Sequence, residues 1–337
     1  MPLTPSPESL SAAAQLLERG DVVAMPTETV YGLAARIDRE DGLKRIFAVK
    51  ERPFFDPLIV HVDGVKMART CAREWPPTAD ALTAAFWPGP LTIVLPKSEL
   101  VSDLITSGLD GVGLRSPDHP VARQLIQLAQ VPLAAPSANR FGHTSPSTWQ
   151  HVQDEFGEAV YILKADSGRV GIESTVLKMD GDELTLLRPG MVSRGQIDAA
   201  LAQAGVKARW REAAIRGEAP GQMKHHYMPR IPLVLVPAEM TESEILARVN
   251  TRRDEIPHQL EGVDLRLERP TGAYHELREL RLPDDAELAA RRLYADLRAL
   301  AESGTELLYF RCKDGQTGEH WAAVLERLTK AASLSLL

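Results

Sequence analysis

The chain reads as an α/β protein in two domains, and three features of the sequence say so. Over the first 200 residues, short apolar runs of strand length alternate with segments of helical periodicity. A polar, aperiodic stretch containing Ala219-Pro220-Gly221 and Pro229 then interrupts the pattern, and it is too long for an ordinary connection inside one domain. Beyond it the alternation resumes at Leu233–Val236. A chain of 337 residues can bury two cores. The boundaries this predicts are a first domain over 1–206, a linker over 207–231 and a smaller domain over 232–337.

The elements follow in order. Ser6-Pro7 opens a helix, a capping residue followed by proline at the first helical position. Leu10, Ala14 and Leu17 share one face of it, and Gly20 closes it. Val22–Met25 is a buried strand. Asp41–Lys50 is a short helix with Leu43, Ile46 and Phe47 inward, and it stops because Pro53 holds Arg52 extended. Leu58–Val62, Leu91–Leu95, Val112–Arg115 and Leu133–Pro136 are strands, with helices near 78–86 and 120–129. Glu173–Met179 and Glu183–Arg188 form a hairpin turned at Asp180-Gly181. Ser193 with Gln196 is a capping box for a helix reaching about Ala204. In the second domain, a helix over Asp285–Glu302 sets Leu288, Leu293, Leu297 and Leu300 inward. Glu306–Arg311 is a strand and His320–Ala331 the last helix.

Composition excludes several classes. Apolar residues at 44% and charged residues at 25% suit an ordinary globular protein. No apolar run approaches the roughly 18 residues needed to cross a bilayer, and no basic-then-apolar segment reads as a secretory signal. Cys71 and Cys312 lie far apart, outside any C-x-x-C pattern, which suits a reducing compartment. The expected location is cytoplasmic. A net charge of −7 with no run of Lys and Arg argues against broad nucleic-acid binding through phosphates.

The common nucleotide motifs are missing. There is no G-x-x-x-x-G-K-[ST] loop and no strand-to-helix G-x-G-x-x-G turn; Gly111-Val112-Gly113 leads into a strand and reads as a turn. No G-x-S-x-G elbow supports a serine hydrolase. His225-His226 lacks a third ligand at a sensible spacing, so no metal site made by protein side chains is expected. What the chain offers instead is small polar and basic residues at strand ends. Pro26–Gly32 follows a buried strand directly, where α/β proteins build sites, although taken alone the segment reads first as a capped turn into a helix. Lys50 and Arg52 flank a helix break and can address one anion, or form a solvated helix end favoured by the dipole. His61 by itself reads first as a hydrogen-bonded core histidine. Arg115 and Arg188 end strands, where burial is costly without anionic partners. Ser137, Asn139, Ser145 and Ser174 add neutral hydrogen-bonding groups. Together they describe a cavity for a polyanionic small molecule.

Seven segments occur in one order: PTETVYGLAA, KER with DPLIVHV, FWPGPLTIVL, VGLRSPDHP, PLAAPSANRFGHTSPS, GIESTVL and LLRPG. Over residues 10–205 they resemble the threonylcarbamoyl-AMP synthases, or YrdC-like proteins. APGQMKHHYMPRIP resembles the linker of the two-domain members, and ARRLYADLRAL a helix of their C-terminal domain. The resemblance implies a twisted mixed YrdC-like sheet with helices, followed by a smaller Rossmann-like α/β domain. It implies condensation of L-threonine, bicarbonate and ATP, with Mg²⁺, to threonylcarbamoyl-AMP and pyrophosphate. A separate transferase complex then modifies adenosine beside the tRNA anticodon, leaving at most indirect tRNA contact here. By the same resemblance Thr29, His61, Arg115, Ala135 and Ser174 line the threonine site. Lys50, Arg52, Asp56, Ser137, Asn139, Ser145 and Arg188 line the ATP site, with Tyr227 closing over it and Lys50 and Arg52 central to catalysis. The chain departs from the family pattern at Asp56 (usually Asn), Gly111 (usually a small hydroxyl residue), His225 (usually Arg) and Met228 (usually Ala).

The chemistry needs positioning and charge neutralisation more than a covalent nucleophile, and no single residue is expected to be an indispensable general base. Two other readings compete. An RNA-binding or ribosome-associated module is disfavoured by the acidic balance and the lack of a basic, aromatic-rich segment. A carbamoyltransferase is disfavoured because such proteins carry zinc-finger and acylphosphatase-like regions that have no counterpart in this sequence.

Overall fold

Ser6 caps the first helix by accepting from Ser9 N, with Pro7 at its first position, as the sequence requires. A computed structural model describes residues 5–53, 56–166, 168–212, 225–257, 259, 260 and 263–337. The chain divides into two units, Met1–Arg140 with Pro146–Gln222, and Phe141–Ser145 with Met223–Leu337. Residues 213–224 of the expected linker lie outside the described residues.

Among the described residues, the first unit is built on a mixed sheet of ten strands. These are β1 (Val23–Met25), β2 (Gly32–Arg36), β3 (Ile59–His61), β4 (Leu91–Pro96), β5 (Gly111–Arg115), β6 (Leu133–Ala134), β7 (Tyr161–Ile162), β8 (Thr175–Asp180), β9 (Glu183–Arg188) and β10 (Arg209–Arg211). Their order across the sheet is β10-β9-β8-β4-β5-β3-β6-β2-β1-β7. The helices are α1 (Pro7–Glu18), α2 (Glu40–Lys50), α3 (Val65–Cys71), α4 (Pro77–Phe86), α5 (Asp103–Thr106), α6 (Pro120–Ala129), α7 (Trp149–Phe156) and α8 (Arg194–Gln203).

Three differences from the sequence reading stand out. The loop after β1 returns as strand β2, antiparallel to β1, and does not turn into a helix. Residues 209–211, assigned to the linker, pair in parallel with β9 and form a sheet edge. The β8–β9 hairpin closes over Gly181-Asp182, since Asp180 pairs with Glu183; Gly181 supplies the φ of +59° that the turn needs.

The two faces of the sheet are covered differently. On one face Ala24, Leu33, Val60, Leu95, Val112, Leu114 and Leu177 join a continuous core with α2, α4, α7 and α8. On the other, Leu10, Ala13 and Leu17 of α1 and Val121, Leu125 and Ile126 of α6 pack on Val23, Met25, Ala34 and Leu133. That second core covers the β1, β2 and β6 end. On the same face, β3, β4 and β8 with β9 carry a separate small cluster of Ile59, Val94, Val176 and Leu187.

The second unit holds four parallel strands in the order β14-β15-β11-β16, among the described residues. Its elements are β11 (Leu233–Pro237), α9 (Glu242–Thr251), a small antiparallel pair β12 (Gln259–Leu260) and β13 (Val263–Asp264), β14 (Leu277–Glu279), α10 (Ala286–Ala301), β15 (Leu307–Cys312), α11 (Glu319–Ala331) and β16 (Leu334–Ser335). Thr241 and Glu244 make a capping box for α9, and Asp285 caps α10. The buried face of α10 is Ala289, Ala290, Leu293, Tyr294, Leu297 and Arg298, two rows at i, i+4 spacing. Leu288, expected inward, is 42% exposed because it falls outside both rows, one position before Ala289.

The turn after β9 is tied to the start of β8. Thr175 Oγ1 donates to Val192 O at 2.8 Å and accepts from Val192 N at 3.1 Å. A Cβ on Gly190 would lie 2.4 Å from Thr175 N and 2.7 Å from Thr175 Oγ1. Backbone cannot yield as a flexible side chain can, so Gly190→Ala is expected to destabilise the protein by about 2–3 kcal/mol. Chemical denaturation monitored by fluorescence checks this; an unchanged midpoint would contradict the packing.

Candidate active site

Residues at alternate positions along these strands share the face that α1 and α6 leave to the small apolar cluster. In parallel β3 and β5, Ile59 pairs with Gly113 and His61 with Arg115; in antiparallel β4, Val94 pairs with Gly113. The floor is therefore apolar, Ile59, Val94, Val176 and Leu187, with glycines on β5 and polar groups beyond. Gly111 belongs to this floor. A Cβ there would stand 2.9 Å from Val94 Cγ1, so a larger residue would require the Val94 side chain to shift. Val94 and Gly111, with Lys178, Met179, Asp180, Leu109 and neighbours, also line a cavity at the β4–β5–β8 strand ends.

Arg115, at the end of β5, is 4% exposed. Its Nη2 lies 2.7 Å from Glu28 Oε1 and donates to Thr29 Oγ1 at 2.9 Å. Among the described residues, its Nε and the Nδ1 of His61 have no hydrogen-bond partner. Burial, and then the charge of Arg115, pushes the His61 imidazole down to about 3, so the ring is neutral near pH 7. Ser174, fully buried, shares a hydrogen bond of 2.7 Å with Thr92 Oγ1. Arg188 donates from Nε to Ser174 O at 3.1 Å and from Nη2 to Ser174 Oγ at 3.2 Å. Ala135 N donates to Ile59 O at 2.9 Å, placing its methyl in the α1–α6 core that borders the site.

Lys50 and Arg52 diverge in their bonding because Glu51 between them is left-handed, with φ of 53°. Lys50 is fully buried and its Nζ donates to Ser137 O and Asn139 O. Burial, then the nearby Arg52 charge, holds its ammonium well below the usual lysine range, while Glu155 and Asp56 act the other way. Arg52 Nη2 meets Asp56 Oδ2 at 2.8 Å, Asp56 O at 3.1 Å and Pro57 O at 2.9 Å. Asp56 thus makes a buried ion pair with Arg52. The Ser137–Asn139 loop is held from its other side, since Ala138 N donates to Tyr31 O at 2.8 Å and Gly32 bridges to Ser137.

Ser145 and Tyr227 belong to the second unit. There Thr144 N donates to Met228 O, Met228 N to Gly142 O, and Thr144 Oγ1 to the carbonyl of Tyr227. The Tyr227 ring is buried against Tyr294 (5.6 Å between centroids) and His226 (4.1 Å), under the Arg327 guanidinium. Met228 packs with Phe141 and Leu265. Ser145 is fully buried.

The structure thus brings Thr29, His61, Arg115, Ser174 and Arg188 together on one face of the first unit, and Lys50, Ser137 and Asn139 around one loop. The sequence reading passed over Glu28, although an acid between two threonines directly after a buried strand was a visible signal.

Known proteins share this architecture. The Sua5/YciO/YrdC family model, described as telomere recombination, matches residues 15–190. The model described as threonylcarbamoyl-AMP synthase, C-terminal domain, matches residues 192–333. A threonylcarbamoyl-AMP synthase of Pyrococcus abyssi is 34% identical over 335 residues, covering 96% of this chain and 94% of that protein. One of Bacillus subtilis is 38% identical over 235 residues, 69% of this chain and 68% of that protein. The crystal structure of P. abyssi Sua5 complexed with L-threonine superposes with a TM-score of 0.79 at 32% identity, covering 97% and 96% of the two chains. The class defined is an enzyme of nucleotidyl-transfer type. The chain belongs to the threonylcarbamoyl-AMP synthase family.

The neutral state of His61 has a measurable consequence. Below about pH 6.5 an unfolded chain protonates this histidine, while the folded chain resists until about pH 3. The unfolded state binds more protons in that window, so stability falls as pH drops through it. His61→Asn is expected to flatten the pH dependence of stability between 6.5 and 3, measured by urea denaturation across that range. An equal slope in both proteins would contradict a buried, neutral His61.

Proposed function

We propose that this enzyme condenses L-threonine, bicarbonate and ATP into threonylcarbamoyl-AMP and pyrophosphate, in the cytoplasm, for threonylcarbamoyladenosine formation in tRNA. The observation that carries the reading is the pair of buried, unpartnered atoms at adjacent register positions, Arg115 Nε and His61 Nδ1. A guanidinium N–H suits an α-carboxylate, and a neutral imidazole nitrogen can accept from an α-amine. Thr29, Ala135 and Ser174 complete the threonine site. The P. abyssi relative crystallised with L-threonine supports this assignment.

Lys50, Arg52 and Arg188 supply positive charge to the ATP phosphates, and Ser137, Asn139 and Asp56 line the ATP site; Ser145 and Tyr227 of the second unit are assigned to ATP by resemblance. The threonine nitrogen attacks the bicarbonate carbon and water leaves, giving a carbamate. A carbamate oxygen then attacks the α-phosphorus, and the bond to the β-phosphate oxygen breaks to release pyrophosphate. The cations offset charge on the phosphates as it moves toward the leaving group. Among the described residues, no group of three or more His, Cys, Asp or Glu is arranged to hold a metal. Mg²⁺ therefore fits as part of the nucleotide substrate, where it neutralises phosphate charge; the carboxylate of Asp56, beside this site, is ion-paired with Arg52. The product passes to a separate transferase that modifies tRNA.

Pyrophosphate release from ATP is expected only when L-threonine and bicarbonate are both present. Arg52→Ala should lower the rate about 100-fold. Arg115→Lys keeps the charge but loses the Nε position, and should raise KM for L-threonine about 10-fold or more, since a charge-assisted hydrogen bond contributes about 1.5–3 kcal/mol. ATP left intact under every combination would remove the catalytic reading in favour of a non-catalytic RNA-binding module. Salt-sensitive retention of RNA would then be the observation to seek.

A further inference from the structure

Glu28 touches none of the substrate atoms assigned above, yet it sits at the centre of the amino-acid site's scaffold. It is 2% exposed. Its two carboxylate oxygens have different partners, Arg115 Nη2 at 2.7 Å from Oε1 and Asp118 N donating to Oε2 at 3.0 Å. Its main-chain carbonyl accepts from Val170 N at 2.7 Å. One residue thus joins the β1–β2 loop, the end of β5, the loop leading to α6 and the loop before β8.

The hydroxyls beside it run in a fixed direction. Thr27 Oγ1 gives its only proton to Val30 O at 2.6 Å, so in its 2.9 Å contact with Thr29 Oγ1 it must accept. Thr29 Oγ1 therefore donates to Thr27 and accepts from Arg115 Nη2 at 2.9 Å. Nη2 thus donates to Thr29 while lying in ion-pair contact with Glu28 Oε1. The Nε–H, buried and without a partner among the described residues, is what the clamp leaves over.

We infer that Glu28 is the positioning and specificity residue of the amino-acid site, holding Arg115 by Nη2 so that Nε–H is presented to the substrate carboxylate, and cancelling its charge. The inference rests on the threonine site proposed above. Two physical consequences follow. A carboxylate is required because one oxygen opposes the Arg115 charge and the other accepts from Asp118 N; a glutamine carries no charge and would turn its NH₂ toward either the Arg115 guanidinium or the Asp118 N–H. With Glu28 opposite Arg115 and His61 neutral, the group facing the substrate carboxylate carries no net charge. A zwitterionic amino acid matches that balance, and a phosphate dianion does not. A buried pair of this kind gives little net stability relative to apolar packing, so its effect lies in orientation and charge.

The test is calorimetric titration of L-threonine, with and without inorganic phosphate, into wild-type enzyme and Glu28→Gln. Wild type should bind threonine irrespective of phosphate. Glu28→Gln should bind threonine about 10-fold more weakly, and phosphate should now compete with it, while KM for ATP in pyrophosphate release stays unchanged. A merely structural role would not create phosphate competition. If Glu28→Gln does not fold, Glu28→Asp serves: it keeps the charge on a shorter arm, so threonine binding should weaken without phosphate competition. Wild type that fails to bind threonine overturns the site reading and this inference with it. Wild type and Glu28→Gln that bind equally, with no phosphate effect, overturn this inference alone.

Discussion

Burying a cation costs several kcal/mol unless something nearby compensates, and among the described residues the first unit buries four: Lys50, Arg52, Arg115 and Arg188. Much of its loop structure exists to meet that cost. Lys50 is met by two main-chain carbonyls, which fixes the Ser137–Asn139 loop. Arg52 is met by Asp56, Arg115 by Glu28 and Thr29, and Arg188 by the hydroxyl and carbonyl of Ser174. Each cation is anchored by one part of its hydrogen-bonding surface. Catalysis by charge stabilisation requires such pre-set groups, because reorganising them during the reaction would consume much of their benefit.

The anchors work only because the sheet supplies a rigid, partly uncovered face. Helices α1 and α6 pack on β1, β2 and β6, and the opposite face is closed by α2, α4, α7 and α8. What remains on the first face is the Ile59, Val94, Val176 and Leu187 floor, kept flat by the β5 glycines. Apolar contact for a ligand and aligned polar groups then come from alternate residues of the same strands. The bulge between Val176 and Leu177 has a place in this, since it brings Arg188 opposite Val176.

Much of this was legible in the sequence, and what was not has physical reasons. Strong periodicity and capping gave α1, α2, α6 and α8, and turn chemistry gave the β8–β9 hairpin. Strand β2 escaped because GLAAR is built of small residues with weak strand preference; its conformation is set by pairing with β1 and β6. Leu288 misled because apolar character was counted without checking its angular position on α10. Each cation of the site was visible as a basic residue at an element's end. Asp56, partner of Arg52, lies four residues on, but Glu28, partner of Arg115, is distant in the chain, and local spacing carries no trace of such a contact.

The five residues Phe141–Ser145 interrupt the first unit and belong to the second. There Gly142 and Thr144 exchange main-chain hydrogen bonds with Met228, Phe141 packs with Met228 and Leu265, and the Arg298 guanidinium binds Thr144 O. The chain thus enters its second folding unit, leaves it to finish the first, and returns. Cutting it between the two would not yield two self-sufficient pieces. The amino-terminal fragment would keep an orphaned apolar side chain in Phe141, and the carboxy-terminal fragment would lack the segment that satisfies Met228. Gene fusion or exchange of either unit in this lineage must therefore carry, or rewrite, a short passage encoded in the other half.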